Sequence, residues 1–417
     1  MVDLALRPGT GIASGRRRLR AGAGWLGPAF VTAIAYVDPG NVATNFTAGS
    51  QRGYLLLWVV VAANAMAALV QFLSAKLGAV TGRSLPELLA ERLSPAQRIA
   101  FWLQAELVSV ATDVAEVIGG AVALQLLFQL PLAMGGLVTG AVSLLLPAIT
   151  SRYGQRCFER VVTGVLAVIA GGFVAGLLVS RPAPGALAGG LVPRLAGSGS
   201  ALLAAGMLGA TLMPHAVYLH SALARDRFAP VRPADRRRVL RVLRADVGAA
   251  MAVAGTVNVA MLVLAASALR GRQLSGSLSA VPAALGDRLG PLFALLFAIG
   301  LLASGVASTA VGCVAGDVVM GGLLRRRVPP ATRRLVTLVP ALLVLAIGVD
   351  PTRALVLSQV VLSFGIPFAL VPLAWLTSRA ELMGDAVNGR RTNLAVGLVS
   401  VLVIALNVLL IWLTLAG

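Results

Sequence analysis

Long apolar runs separated by short, arginine-rich polar segments dominate the chain. Eleven runs have the length of one helical crossing, about 20 residues. They fall approximately at 25–48, 54–79, 99–128, 130–150, 158–180, 199–223, 246–269, 291–322, 335–349, 354–377 and 393–416. Their length predicts helices, because a barrel would show many alternating segments of about ten residues. An all-α membrane protein of eleven spans is expected, with no soluble domain. The longest loops, near 181–198, 225–245 and 270–290, are too short for one.

Two spans interrupt this pattern. In span 1, "AIAYVDPGNVATNF" sets Asp38, Pro39, Gly40 and Asn41 in succession. Proline removes a backbone donor and glycine adds chain entropy, so span 1 is expected to be discontinuous there. In span 6, "GMLGATLMPHAVYLHSAL" places Gly209 and Pro214 on either side of a second break. Five spans separate the two. An odd offset sends the broken segments into the membrane from opposite sides, the mark of a five-plus-five inverted repeat with a transporter's site at its centre. The expected organisation is a basic tail at 1–24, a first repeat at 25–180, a second at 198–377, and a loop with the eleventh helix at 378–417. Proline and glycine also kink membrane helices without functional meaning. Matched breaks, each beside ionisable or ligating side chains, argue for function, since intramembrane charge is costly.

Charge sharpens the topology. The chain is 58% hydrophobic and 12% charged, against about 25% charged in soluble domains. Its formal charge of +19 would suggest nucleic acid, but 28 of the 35 Lys and Arg lie in the N-terminal tail and the even-numbered loops, and seven lie on the other side. That is the positive-inside pattern. It excludes a nucleic-acid reading and predicts a cytoplasmic N-terminus, an extracytoplasmic C-terminus, a multi-pass plasma-membrane location and anionic lipid at the inner face. The basic tail resembles the start of a signal peptide, yet span 1 is too long and has no small-residue cleavage site after it, so the tail is expected to be retained. Cys157 and Cys313 lie in or beside different spans, and no disulfide is expected.

Unwinding frees backbone carbonyls at the breaks, and these are hard oxygen ligands. Asp38 adds a negative charge and Asn41 a side-chain carbonyl. In span 6 Met213 adds a thioether, and the carbonyl of Ala210 is a further donor. Methionine alone is commonly core packing, but Met213 stands beside Pro214 in the matched break. Sulfur is soft, so the set favours manganese, iron and their neighbours over Mg(II) or Ca(II).

These residues carry a family resemblance. "DPGN" in span 1 with "MPH" and "LHSAL" in span 6 resembles the natural resistance-associated macrophage protein (Nramp) family of proton-coupled divalent-metal transporters. "ATDVAEVIGGA" in span 3, "GLLASG" and "STAVG" in span 8, "VPPATRRLVT" at the start of span 9 and "LSQVVLSFGIPFALVPL" in span 10 agree in order along nearly the whole chain. The resemblance implies a LeuT-like fold and a mid-membrane metal site formed by Asp38, Asn41, Met213 and the carbonyls of Ala210 and Ala35.

Both histidines of the chain lie in span 6. His215 and His220 differ in direction by about 140° on a helix, so they are not expected to grip one ion together. His215, at the break, reads as a proton-handling group. His220 reads either as a packing histidine or, as the resemblance implies, as a group for pH dependence or gating. Span 3 carries Glu106, Asp113 and Glu116, with Arg333 and Arg334 as natural partners. This set reads as a proton relay to the cytoplasm, which the resemblance also implies, or as a structural ion-pair network. Three positions depart from the family pattern, each lacking an expected amide: Ala216 after "MPH", Gly365 in span 10 and Val306 in span 8. A roomier, wetter site is the expectation from them, with Gly365 removing a side chain that in relatives is thought to reach the metal.

The leading expectation is a secondary transporter, not an enzyme, that imports Mn(II), with Fe(II) and Cd(II) as further substrates, together with protons. No cofactor is implied, and a monomer is expected. The alternative within transport is a divalent carrier relaxed toward Mg(II) or without tight proton coupling. An intramembrane hydrolase using Asp38 or Asp113 with His215 is disfavoured by the lack of protease or nucleophile-elbow motifs, and an ATP-driven pump by the lack of a Walker loop.

Overall fold

The computed structural model describes residues 27–153, 155–180, 182–229, 231–270, 278–325 and 328–416. The basic tail and the side chain of Cys157 lie outside the described residues; Cys313 is buried and free. The first half of the chain forms α1 (Pro28–Ala33), α2 (Pro39–Arg52), α3 (Leu57–Thr81), α4 (Leu85–Arg92), α5 (Pro95–Phe128), α6 (Leu132–Tyr153) and α7 (Gln155–Ser180). After the short α8 (Pro184–Gly190) come α9 (Ser198–Thr211), α10 (Pro214–Phe228), α11 (Pro233–Ala268), α12 (Val281–Leu289) and α13 (Pro291–Leu324). The chain closes with α14 (Pro330–Ala346), α15 (Pro351–Thr377), the single-turn α16 (Ala380–Met383) and α17 (Arg390–Ala416).

Eight helical segments among the described residues are long and apolar enough to cross a membrane. They correspond to predicted spans 2, 3, 5, 6, 7, 8, 10 and 11. Span 1 is divided between α1 and α2, span 4 is α6, and span 9 is the 17-residue α14. Prolines mostly start these helices. Pro28, Pro39, Pro95, Pro214, Pro233, Pro291, Pro330 and Pro351 all sit in the first turn, where the missing N–H has no intrahelical acceptor to lose and the fixed φ suits the helix. Serine caps reinforce two helix starts, with Ser84 and Glu87 closing a capping box on α4 and Ser94 and Gln97 one on α5.

Helix pairings recur between the halves. The second part of span 1, α2, packs on α11, and the second part of span 6, α10, packs on α3; α1 packs on α7, and α9 on α15. Related elements of the two repeats thus meet related neighbours, as an inverted repeat requires, while α5 and α13 pair across the centre. Small residues permit the closest approaches. A Cβ on Gly209 of α9 would lie 1.8 Å from the carbonyl oxygen of Gln359 on α15, so only glycine fits.

Candidate metal centre

Span 1 unwinds just before its proline. After α1 a 3-10 turn, Ile34–Val37, leads to Asp38, whose backbone is extended at φ −67° and ψ 168°. Pro39 and Gly40, expected as the break itself, instead open α2. Span 6 behaves in the same way: Leu212 and Met213 leave helical geometry, and Pro214 begins α10. Asp38 thus immediately precedes Pro39, and Leu212 and Met213 lie between Gly209 and Pro214, where the sequence placed the second break.

Asp38 is the cap of α2. Its Oδ1 accepts the Asn41 backbone N–H at 2.7 Å and the Asn41 Nδ2–H at 3.2 Å. Asn41 Nδ2 also donates to the Ala210 carbonyl at 2.7 Å, joining the two breaks across the bundle. Asp38, Asn41, Ala35, Ala210 and Met213 are all buried. Ala35 lies in the 3-10 turn, and Met213 occupies the second break itself. Ser304 of α13 donates to the Val37 carbonyl and steadies the unwound turn.

A residue that sequence reading passed over completes the cluster. Gln359 of α15 points Nε2 at Asp38 Oδ2, 3.5 Å away, and Gly40 is what admits it, since a Cβ there would stand 1.7 Å from that nitrogen. Asn41 Oδ1 and Gln359 Oε1 are buried with no donor among the described residues. Each unsatisfied acceptor costs about 1–3 kcal/mol, which a bound cation would relieve. Among the described residues no three His, Cys, Asp or Glu come together as a metal site. The donors here are one carboxylate, two amides, backbone carbonyls and a thioether.

The expected consequence of Gly365 is corrected by its surroundings. A Cβ at Gly365 would meet Val108 Cγ2 at 2.4 Å, Gln104 Nε2 at 3.0 Å and Pro214 Cγ at 3.2 Å, so no void is left there. The amide that α15 brings to Asp38 is Gln359. Ala216 is buried in the first turn of α10. Val306 is half-buried on α13, between Ser304 and Ser308, which serve the two polar clusters.

The histidines separate as their spacing requires. His215 is buried in the first turn of α10, and neither ring nitrogen has a hydrogen-bond partner among the described residues. His220 Nδ1 lies 2.6 Å from Gln71 Oε1, and Gln71 Nε2 bonds the Tyr36 hydroxyl. That chain ties α10 to α3 and to the 3-10 turn that leads into Asp38.

The carboxylates of α5 meet the arginines of α14 in two groups. Arg334 pairs with Asp113 and reaches Glu116 Oε2 at 3.5 Å, with Ser143 accepting from its Nε at 2.9 Å. Ser308 donates to Glu116 Oε1 at 2.9 Å. Arg333 pairs with Glu106 at 3.2 Å and with Asp317 of α13 at 3.5 Å. Asp317 was missed in sequence, although an acid inside predicted span 8 is itself a signal. A cavity of about 10 Å³ lies among Asp113, Cys313, Asp317, Arg333 and Arg334, about the space of one water.

Known proteins share both the sequence and the fold. The model of the family described as natural resistance-associated macrophage protein-like matches residues 29–413. The chain is 60% identical over 393 residues to the divalent metal cation transporter MntH of Mycobacterium tuberculosis, covering 94% of this chain and 92% of the relative. To MntH of Bacillus subtilis it is 44% identical over 389 residues, covering 93% and 91%. Among solved structures, the manganese transporter of Eremococcus coleocola superposes with a TM-score of 0.83 at 30% identity, over 93% of this chain and 85% of that one. MhsT in complex with L-phenylalanine aligns with a TM-score of 0.64 at 14% identity, over 94% and 98%, a likeness of fold alone.

Proposed function

The chain belongs to the Nramp family of LeuT-like membrane transporters, and from that premise we propose that it imports Mn(II), with Fe(II) and Cd(II) as further substrates, in symport with protons. The coarser activity, transport of divalent metal cations, rests on relatives that cover nearly the whole chain. One observation carries the finer reading: Asp38, the carboxylate at the breaks, stands beside two buried amide oxygens, Asn41 Oδ1 and Gln359 Oε1, that have no donor among the described residues. Asn41 now fills the gap with its Nδ2. A half-turn of that amide exchanges nitrogen for oxygen and offers Oδ1 to an ion held between Asp38, the Ala210 and Ala35 carbonyls, Gln359 and Met213. The thioether favours transition metals over hard cations.

Protons are handled next door. Four carboxyls, Glu106, Asp113, Glu116 and Asp317, face two guanidiniums, so protons can neutralise the excess negative charge. His215 stands on α10 between the second break and this cluster as the proposed intermediary, and His220 acts through the Gln71–Tyr36 chain on gating. The basic asymmetry supports a cytoplasmic N-terminus, an extracytoplasmic C-terminus and a plasma-membrane location. The repeats run over 25–180 and 198–377, and the transporter acts as a monomer. A carrier relaxed toward Mg(II) is the runner-up; Ala216 favours it, while the filled space at Gly365 and the amide of Gln359 beside Asp38 weaken it.

Purified protein in liposomes carrying an internal pH dye tests this. Mn(II) entry should acidify the lumen, and Asp113→Asn or Glu116→Gln should blunt the acidification while leaving the apparent Mn(II) affinity within about twofold. Mn(II) entry without any pH change in the unsubstituted protein overturns symport.

A further inference from the structure

Three side chains at one end of the bundle form a surface that transport itself does not use. Trp375 lies in the last turns of α15 and is 43% exposed. Arg92, the last residue of α4, stands 5.9 Å from the centre of its ring, and Arg379, just beyond the end of α15, stands 4.9 Å away. Guanidinium groups stack on indole faces, and here one ring holds two cations that would otherwise repel. Neither has a carboxylate partner among the described residues. Arg92 donates to the Leu88 carbonyl at 3.2 Å, and the acids beside it are engaged elsewhere, Glu91 with Arg83 and Glu87 with Arg225.

From Trp375 an apolar face continues along α15. Val371, Phe368, Val361 and Leu357 are exposed on the same side of the helix as Trp375. Phe101 of α5 meets Phe368 edge-on at 6.0 Å. From Trp375 to Leu357 the face runs about 27 Å along the helix, the direction an acyl chain would take.

We propose that Arg92, Trp375 and Arg379 bind the headgroup phosphate of an anionic phospholipid, with its chains along the exposed face of α15. Lipid, and not free phosphate, is indicated by that continuous apolar face and by an indole at the end of a span, the interfacial position of tryptophan. The inner-leaflet assignment follows from the orientation proposed above, whereas the contact itself does not depend on it. A bridging headgroup would also reach the transport machinery. Glu87 ties α4 to Arg225 of α10, and Pro86 packs on Gly322 of α13, so fastening Arg92 to Arg379 couples the end of α15 to the second part of broken span 6.

The test uses full-length protein with Trp375 as its only tryptophan, through Trp25→Phe, Trp58→Phe, Trp102→Phe and Trp412→Phe. It is reconstituted in phosphatidylcholine containing a small fraction of brominated phosphatidylglycerol or of brominated phosphatidylcholine. Lipid in both leaflets makes the readout independent of orientation. Brominated phosphatidylglycerol should quench Trp375 at about tenfold lower mole fraction than the zwitterionic lipid. The preference should vanish in R92Q/R379Q and persist in R92K/R379K. Equal quenching by the two lipids overturns the site, as does a preference that survives R92Q/R379Q. Loss of the preference on adding millimolar inorganic phosphate also overturns it, by marking an ion site. If the single-tryptophan background does not fold, native mass spectrometry of the unsubstituted chain and R92Q/R379Q decides. One retained phosphatidylglycerol fewer in the variant is expected, and an unchanged number overturns the proposal.

Discussion

Two buried polar clusters lie within the apolar bundle, and they are built on opposite plans. At the helix breaks a single carboxylate, Asp38, has only backbone and amide donors, and two side-chain oxygens are left with none. Between α5, α13 and α14, four carboxyls meet two guanidiniums. The protein brings its own cations to the second cluster and none to the first. A buried acceptor set without an internal cation is costly unless something positive arrives, which is why the metal site is proposed at the breaks. The arginine cluster is already held by charge, and only small changes, such as a proton, can pass through it without breaking it.

Asp38→Asn attacks that contrast at its root and should have the largest effect. Asparagine also caps helices, so α2 should persist while the site loses its only formal charge. Radiolabelled Mn(II) uptake should fall more than about 100-fold, the scale of losing roughly 3 kcal/mol of charge-assisted bonding. Inserted protein with normal uptake would show that the ion binds elsewhere.

Arg334→Ala makes the opposite cut. It leaves Asp113 and Glu116 buried without their cation, and removing one partner of a buried pair costs about 3–5 kcal/mol. The expected outcome is loss of thermal stability in detergent, with Mn(II) binding by the surviving folded fraction close to normal. Neutralising both carboxylates as well, in the triple variant Arg334→Ala/Asp113→Asn/Glu116→Gln, should recover part of the stability. An unchanged melting temperature in the single variant would mean that the cluster is not held by its ion pairs.

Met213→Ala is a milder change at the break. The thioether should contribute more to Cd(II) than to Mn(II) and little to Mg(II) or Ca(II). Cd(II) affinity should fall about tenfold and Mn(II) affinity less, while Mg(II) and Ca(II) become effective competitors of uptake. Equal inhibition of both proteins at similar Mg(II) concentrations would make Met213 packing and favour the relaxed carrier.

Much of this architecture is legible in the chain because membrane insertion writes itself in runs of fixed length. The spans, the two matched interruptions and Asp38 with Asn41 can be read directly, since a charge and a proline inside an apolar run cost too much to serve packing alone. Which residue unwinds is less legible: proline marks the start of the following helix, so Pro39 and Pro214 point to their upstream neighbours Asp38 and Met213. Gln359 was missed because a single amide in a span has no periodicity to announce it, and its position depends on Gly40 leaving space on another helix. Asp317 was missed for a similar reason, as its partner Arg333 is brought to it only by the packing of α14.

The smallest effects decide which position of α15 serves the ion. If the relevant amide were missing at position 365, Gly365→Gln should restore selectivity for transition metals. The packing predicts otherwise, because any side chain there runs into Val108 and Pro214, and overpacking of this kind costs about 1–3 kcal/mol. Gly365→Gln should therefore lower the melting temperature and leave the ratio of Mn(II) to Mg(II) uptake where it is. Gln359→Ala should do the reverse. It removes the amide 3.5 Å from Asp38 Oδ2 without adding volume, so the protein should stay folded while Mn(II) affinity drops about three- to tenfold, the scale of one net hydrogen bond. Measuring both variants side by side separates the positions. A gain of selectivity in Gly365→Gln, with no loss in Gln359→Ala, would move the amide of this site six residues along α15 and reopen the case for a looser centre.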